Sequence, residues 1–220
     1  MKSPFVIFAA VFLIGWTVPA GAQTFNWHNA VFDTVVDSDG DALDGTFVFE
    51  LGAFADGFVP IPENVDEWSS NWLVFDRADY NPTLGYFAGA VEMLSDGTSS
   101  SAEMTPGAPS FEGELAYIWI RNNDAAAPGS EWLLLSDENW VFPMALNECC
   151  GNGLPIEWAT SDLDSGDVPL YGGQGGVEGP GVFTPVPGAV LQTATFIVPE
   201  PSVLACLVLA SCGLLRRRRA

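Results

Sequence analysis

The chain has 220 residues, 48% of them apolar and 12% aromatic, and carries 28 acids against 7 bases. That is enough apolar mass for one packed domain and the wrong composition for a disordered chain. A net charge of −21 argues against nucleic acid and anionic lipid as partners of the folded part. Position sharpens the imbalance. Lys2 stands at the front and Arg216, Arg217, Arg218 and Arg219 at the back, so Arg77 and Arg121 are the only bases in between. Residues 23–198 therefore hold every acid but Glu200, no lysine, and a net charge of about −25. Gly (23) and Pro (16) are frequent, which favours many turns and short elements over long helices.

Residues 1–22 read as a signal peptide. Lys2 supplies the positive start, residues 5–16 (FVIFAAVFLIGW) the apolar stretch, and Pro19 a helix breaker. Ala20 and Ala22 occupy the small-residue positions that signal peptidase needs, so cleavage after Ala22 leaves Gln23 as the new N-terminus. The apolar stretch is too short for a comfortable membrane span.

From residue 23 to 198 the pattern is one of short strands between strong turn signals. Residues 25–36 form an apolar run rich in aromatic and β-branched side chains, broken by Asp37-Ser38-Asp39-Gly40-Asp41. Residues 46–51 alternate, with Phe47, Phe49 and Leu51 on one face, so the two runs are expected to pair as a hairpin. Residues 63–71 have the composition of a short helix that starts near Pro62. Further strands are expected over residues 85–94, 115–121 and 132–135, the last after a Pro128-Gly129 turn. Glycines and prolines interrupt residues 170–188, a long loop or edge segment, and residues 190–198 read as a closing strand. No helical period is sustained. The fold class expected is all-β, an antiparallel sandwich of the jelly-roll or immunoglobulin-like kind.

Three features of this domain bear on chemistry. Asp37, Asp39, Asp41 and Asp44 alternate on one loop, an arrangement able to turn oxygens toward Ca²⁺. The spacing departs from the EF-hand: Ala42 stands where its glycine falls and Val48 where its closing acid falls, and a solvated turn accounts for the same residues. Cys149 and Cys150 are the only thiols of the domain, and an oxidising compartment favours their pairing as a stiff turn before Gly151-Asn152-Gly153. A zinc site lacks ligands, because His28 is the only histidine. Finally, Trp27, Trp68, Trp72, Trp119, Trp132, Trp140 and Trp158 are either core or, where exposed, platforms for sugar rings. Trp119 and Trp132 lie in strands and are expected in the core. No G-x-S-x-G elbow, phosphate loop or dinucleotide fingerprint occurs, so no enzyme and no resident cofactor is expected.

The tail is the most specific signal. Pro199-Glu200-Pro201 precedes residues 202–215 (SVLACLVLASCGLL), and Arg216–Arg219 follow. Arginines that end an apolar run hold that end in the cytoplasm, and their stems extend a short span. This tripartite tail, residues 199–220, resembles the PEP-CTERM sorting signal of Gram-negative bacteria. The resemblance implies a transmembrane helix and recognition by an exosortase, a membrane-embedded transpeptidase that cuts near Pro-Glu-Pro. It implies passage through the inner membrane to the cell surface or an extracellular polysaccharide matrix.

The reading that results is an exported, non-catalytic surface or matrix protein with a structural or adhesive role in exopolysaccharide. A carbohydrate-binding module, aromatic or Ca²⁺-assisted, is the second reading; a secreted glycoside hydrolase built on a carboxylate pair is the third. With so few cations to offset its acids, the domain should be destabilised by self-repulsion, which salt screens over ~10 Å at 0.1 M. Its thermal midpoint is expected to rise across a NaCl series, and a flat or falling midpoint contradicts this.

Overall fold

Apolar residues alternate over two faces along most of the chain, and strands follow from that pattern. The computed structural model describes residues 22–144, 154–164, 167, 169–175 and 188–196. The chain is all-β within them. Its strands are β1 (Gln23–His28), β2 (Thr34–Val36), β3 (Val48–Phe54), β4 (Trp72–Asn81), β5 (Tyr86–Met93) and β6 (Tyr117–Arg121). These are followed by β7 (Glu131–Leu135), β8 (Ile156–Ala159), β9 (Gly173–Gln174), β10 (Val190–Gln192) and β11 (Ala194–Thr195). A 3-10 turn at Pro62–Glu67 runs into the single-turn helix α1 (Trp68–Asn71), where the sequence predicts a short helix.

Eight strands form one curled sheet in the order β11-β7-β6-β3-β4-β5-β1-β8, and β2-β10-β9 form a second. The small sheet lies over the concave side, because Val35 on β2 and Leu191 on β10 enter the main core. Two expectations are corrected here. Residues 25–36 do not make one arm of a hairpin with residues 46–51. They split at residues 29–33 into β1 and β2, which join different sheets. Nor are the sheets purely antiparallel, since β1–β8 and β2–β10 run parallel. The cause of the split is local. Asp33 N–H closes a turn on the Ala30 carbonyl, and buried Asn29 binds the carbonyls of Asp33 and Gly85 through Nδ2. Asn29 Oδ1 in turn accepts from the Phe87 N–H, so a backbone reversal inside the molecule keeps its polar groups paired.

The middle of the large sheet is buried on both faces. On the concave face, Phe49 and Leu51 of β3, Phe75 of β4, Phe87 of β5, and Ile118 and Ile120 of β6 join one core. The alternate residues Phe54, Trp72, Val74, Tyr117, Trp119, Trp132 and Leu134 form a second core on the convex face, capped by Trp68 of α1. Trp68 stacks on Trp132 (ring centroids 6.1 Å, 21°) and meets Trp119 edge-on at 6.2 Å.

A fully buried carboxylate, Glu50, lies on that convex face beside the second core. Pairing places Arg77 of β4 directly opposite it on one side and Trp119 of β6 on the other. Arg77 Nη2 lies 2.6 Å from Glu50 Oε1, and Arg121 Nη1 2.6 Å from Oε2. Trp72 Nε1 donates to Oε2 at 2.8 Å, and the Arg121 guanidinium lies 4.1 Å from the Trp119 ring centre. A β-bulge makes the arrangement. Register shifts between Leu51 and Gly52, leaving Phe75 as the extra residue of β4. Without it, Arg77 would have the opposite parity from Trp72 and Val74 and would point into the concave core.

Removing one partner of a buried ion pair strands the other. Glu50→Ala is expected to destabilise the protein by about 3–5 kcal/mol in urea unfolding. Arg77→Ala is expected to cost clearly less, because its side chain is 40% exposed and also reaches Glu103. Equal losses would overturn the ranking.

Candidate functional site

The aspartate loop folds onto its own backbone. Asp37 Oδ1 accepts from the N–H groups of Asp39 (3.0 Å) and Asp41 (2.8 Å), and Asp44 Oδ1 accepts from Thr46 N–H at 2.8 Å. The Thr46 hydroxyl and N–H hold the Asp44 carboxyl below its usual range. Among the described residues no group of three or more His, Cys, Asp or Glu is placed to hold a metal ion. These aspartates act as turn formers in the geometry seen.

All seven tryptophans from Trp27 to Trp158 are buried, the most exposed being Trp72 at 7%. Core packing accounts for Trp119 and Trp132, as the sequence predicts, and equally for the other five. Trp140 and Trp158 lie near parallel (6.3 Å, 30°), but they stack inside the edge of the molecule. Above them opens a cleft of about 410 Å³ lined by Asp137, Asn139, Glu157 and Asp162. Two of its acids are engaged internally. Asp162 Oδ2 accepts from Trp140 Nε1 and Ala159 N–H, and Asp137 Oδ1 accepts from Asn139 N–H. Nearby, burial pushes the Asp167 carboxyl up, aided by the adjacent charges of Asp137 and Asp164.

A second depression, about 490 Å³, lies on the convex face and is lined by Asp79, Tyr80, Asn81, Pro82, Tyr86 and Ala88. Strand pairing builds it. Asp79 lies opposite Ala88, and Ala88 opposite His28, so β4, β5 and β1 form one row across the sheet. Ala88 and Asp79 are exposed, while Tyr86 and His28 are half-buried with rings 6.2 Å apart. A methyl group between longer neighbours makes a trough. His28 Nδ1 lies 2.9 Å from the Asn29 carbonyl, which can only accept, so the neutral ring carries its hydrogen there and leaves Nε2 as an acceptor. Asn81 Oδ1 caps the β4–β5 turn by accepting from Thr83 and Leu84 N–H groups. Its lining residues lie on β4, β5 and the turn between them, and β4 is a strand that the sequence pattern does not reveal.

Comparison with family models, curated proteins and solved structures finds no match to this chain.

Of the residues singled out in the sequence, Cys149 and Cys150 lie outside the described residues, as do Pro199, Glu200, Pro201 and Arg216–Arg219. Ala22 is exposed, and Gln23 begins β1 with its side chain buried, donating from Nε2 to the Leu154 carbonyl at 2.9 Å. Among the described residues no helix is long and apolar enough to cross a membrane.

Sequence reasoning missed one further buried acid. Asp76 receives Trp27 Nε1 on Oδ2 at 2.8 Å beneath Gly89, where any Cβ would collide with that indole. Burial raises the Asp76 carboxyl above its ordinary value of 3.8, against the opposing hydrogen bonds of Trp27, Ser101 and the Arg77 backbone. A raised folded-state value means stabilisation that is full below the unfolded value and lost as pH rises through the folded one. The stability of the native chain relative to Asp76→Asn is therefore expected to fall between about pH 3.5 and about pH 7. Urea unfolding of both proteins at the two pH values checks this, and a pH-independent difference rules it out.

Proposed function

We propose that the chain is an exported, non-catalytic protein of a bacterial surface or extracellular polysaccharide matrix, delivered by signal peptidase and then by an exosortase-like transpeptidase. The observation that carries this reading is the tail, Pro199-Glu200-Pro201 followed by an apolar run and Arg216–Arg219. A permanent anchor explains the arginines and the apolar run but gives no reason for Pro-Glu-Pro, whose two prolines keep it extended, as a protease-like active site needs.

The folded part fits between the two targeting segments. β1 starts at Gln23, the residue that follows the expected cleavage, and Phe196 N–H makes a backbone hydrogen bond to the Ser130 carbonyl three residues before Pro199. In this reading the two sheets are the halves of a sandwich of the jelly-roll or immunoglobulin-like kind, flanked by a signal peptide and a C-terminal hydrophobic helix. The tail passes transiently through the inner membrane, with the acidic domain outside. Cys149 and Cys150 pair with each other there. The second reading, carbohydrate binding, is favoured by one observation, the trough over Ala88. It does not require Ca²⁺ at Asp37, Asp39, Asp41 and Asp44.

Intact-mass measurement after expression in hosts with and without an exosortase tests the proposal. Loss of residues 1–22 is expected in both, and loss of the tail beyond Pro-Glu-Pro only where the enzyme is present. Retention of residues 202–220 in both hosts would make the tail an ordinary anchor.

A further inference from the structure

We infer that the trough on the β4–β5 hairpin, with His28 of β1 beside its Ala88 floor, is a binding site for a polysaccharide of amino sugars that carry free amines. The inference rests on the matrix-facing reading above and names the chemistry of its partner. Three properties of the trough point to it.

The first is shape. An open depression of about 490 Å³ falls within the size range of small-ligand sites, and its mouth lies on an exposed sheet face, where a chain can pass through. The floor is the exposed Ala88, with no bulky side chain between Asp79 and His28 in the row that crosses it.

The second is the mixture of groups. Tyr86, beside His28, supplies an aromatic surface for the apolar side of a sugar ring. His28 Nε2 accepts from a hydroxyl, because Nδ1 is held by the Asn29 carbonyl. Asn81 keeps its Nδ2 hydrogens for donation, since the β4–β5 turn uses only its Oδ1. Trp140 and Trp158, the other stacked aromatic pair beside a cleft, present no comparable face because they are 1% and 4% exposed.

The third is charge. Asp79 stands exposed at the wall of the trough, and among the described residues no arginine pairs with it. The arginine two residues before it on the same face, Arg77, is spent on Glu50 and Glu103, and Arg121 on Glu50 and Asp124. A polymer of uronic acids or sulfated sugars meets repulsion from a domain of about −25 net charge. A neutral glycan leaves Asp79 without a partner. A sugar with a free amine supplies the missing ammonium while its hydroxyls meet Asn81 and His28.

The test is calorimetric titration of the full chain in detergent with a glucosamine hexamer, alongside its N-acetylated counterpart. Binding of the free-amine hexamer is expected, with the N-acetylated hexamer at least tenfold weaker. Asp79→Asn and Ala88→Trp, the second filling the trough, should each weaken binding at least tenfold with an unchanged melting temperature. Asp56→Asn removes one charge on the turn after β3 and is expected to change nothing. No binding, equal binding of the acetylated hexamer, or equal losses with Asp56→Asn and Asp79→Asn would overturn the inference, the last by reducing it to general acidity. Fractionation of cells into matrix and membrane reports separately on the exported reading. Matrix retention of the Asp79→Asn chain together with failed titration condemns the trough alone, whereas absence from the matrix condemns the wider function.

Discussion

Glu50 has no exposure to water, and a carboxylate so placed must be answered by cations and hydrogen-bond donors within reach. The domain has two arginines to offer, and both converge on it. Because Glu50 sits on β3, the strand between β4 and β6, its partners come from both sides and tie three neighbouring strands to one register. The ties continue outward. Arg77 reaches Glu103, and the segment after Glu103 returns to β4, where Thr105 exchanges bonds with the backbone of Val74. Arg121 reaches Asp124, whose carbonyl accepts from Ser69 of α1, so the helix that caps the convex core is fastened to the same network.

The bulge in β4 reconciles this network with an apolar core. A strand alternates strictly, so one regular run cannot place Trp72 and Val74 together with Arg77 on one face. The additional residue makes Phe75 and Asp76 both face inward and returns Arg77 to the convex side. Inward placement of Asp76 then requires a donor, which Trp27 supplies, and the indole requires Gly89 beneath it. A single irregularity thus links the ion cluster on one face to a buried acid on the other. Slipping β3 against β4 by one residue would place Glu50 in the concave core without either arginine.

Much of this was legible in local pattern and little of it in long-range pairing. Alternation in residues 46–51 and the run LAYIWIR located β3 and β6, and the burial of Trp119 and Trp132 followed from it. β4, the longest strand, escaped notice because Asp76, Arg77 and Asp79 interrupt its apolar pattern, and each has a reason that only its neighbours reveal. The hairpin expected before Thr46 failed for a similar cause. Asn29 and Asp33 look like loop residues in the sequence, yet they are buried and bonded, Asp33 to Thr160 and to the Ala189 N–H far along the chain. The trough was hidden along with β4, since Asp79 and Asn81 of that strand line it opposite Ala88 and Tyr86 of β5.

The placement of the arginines also constrains what the outside of the domain can recognise. Cations already paired within an ion cluster stabilise register and offer little to an anionic ligand at the surface, and the long-range field remains that of the uncompensated acids. The acids themselves divide into two classes. Asp37, Asp44 and Asp162 each turn one carboxylate oxygen onto nearby N–H groups and so hold the local backbone. Asp79 lines a depression with its carboxylate exposed beside the Tyr86 phenol and the Asn81 carboxamide. Carboxylates bonded to their own backbone shape loops, whereas one exposed among donors and acceptors retains capacity for a ligand. Among the described residues both arginines are already paired, so that capacity is open to a ligand from outside.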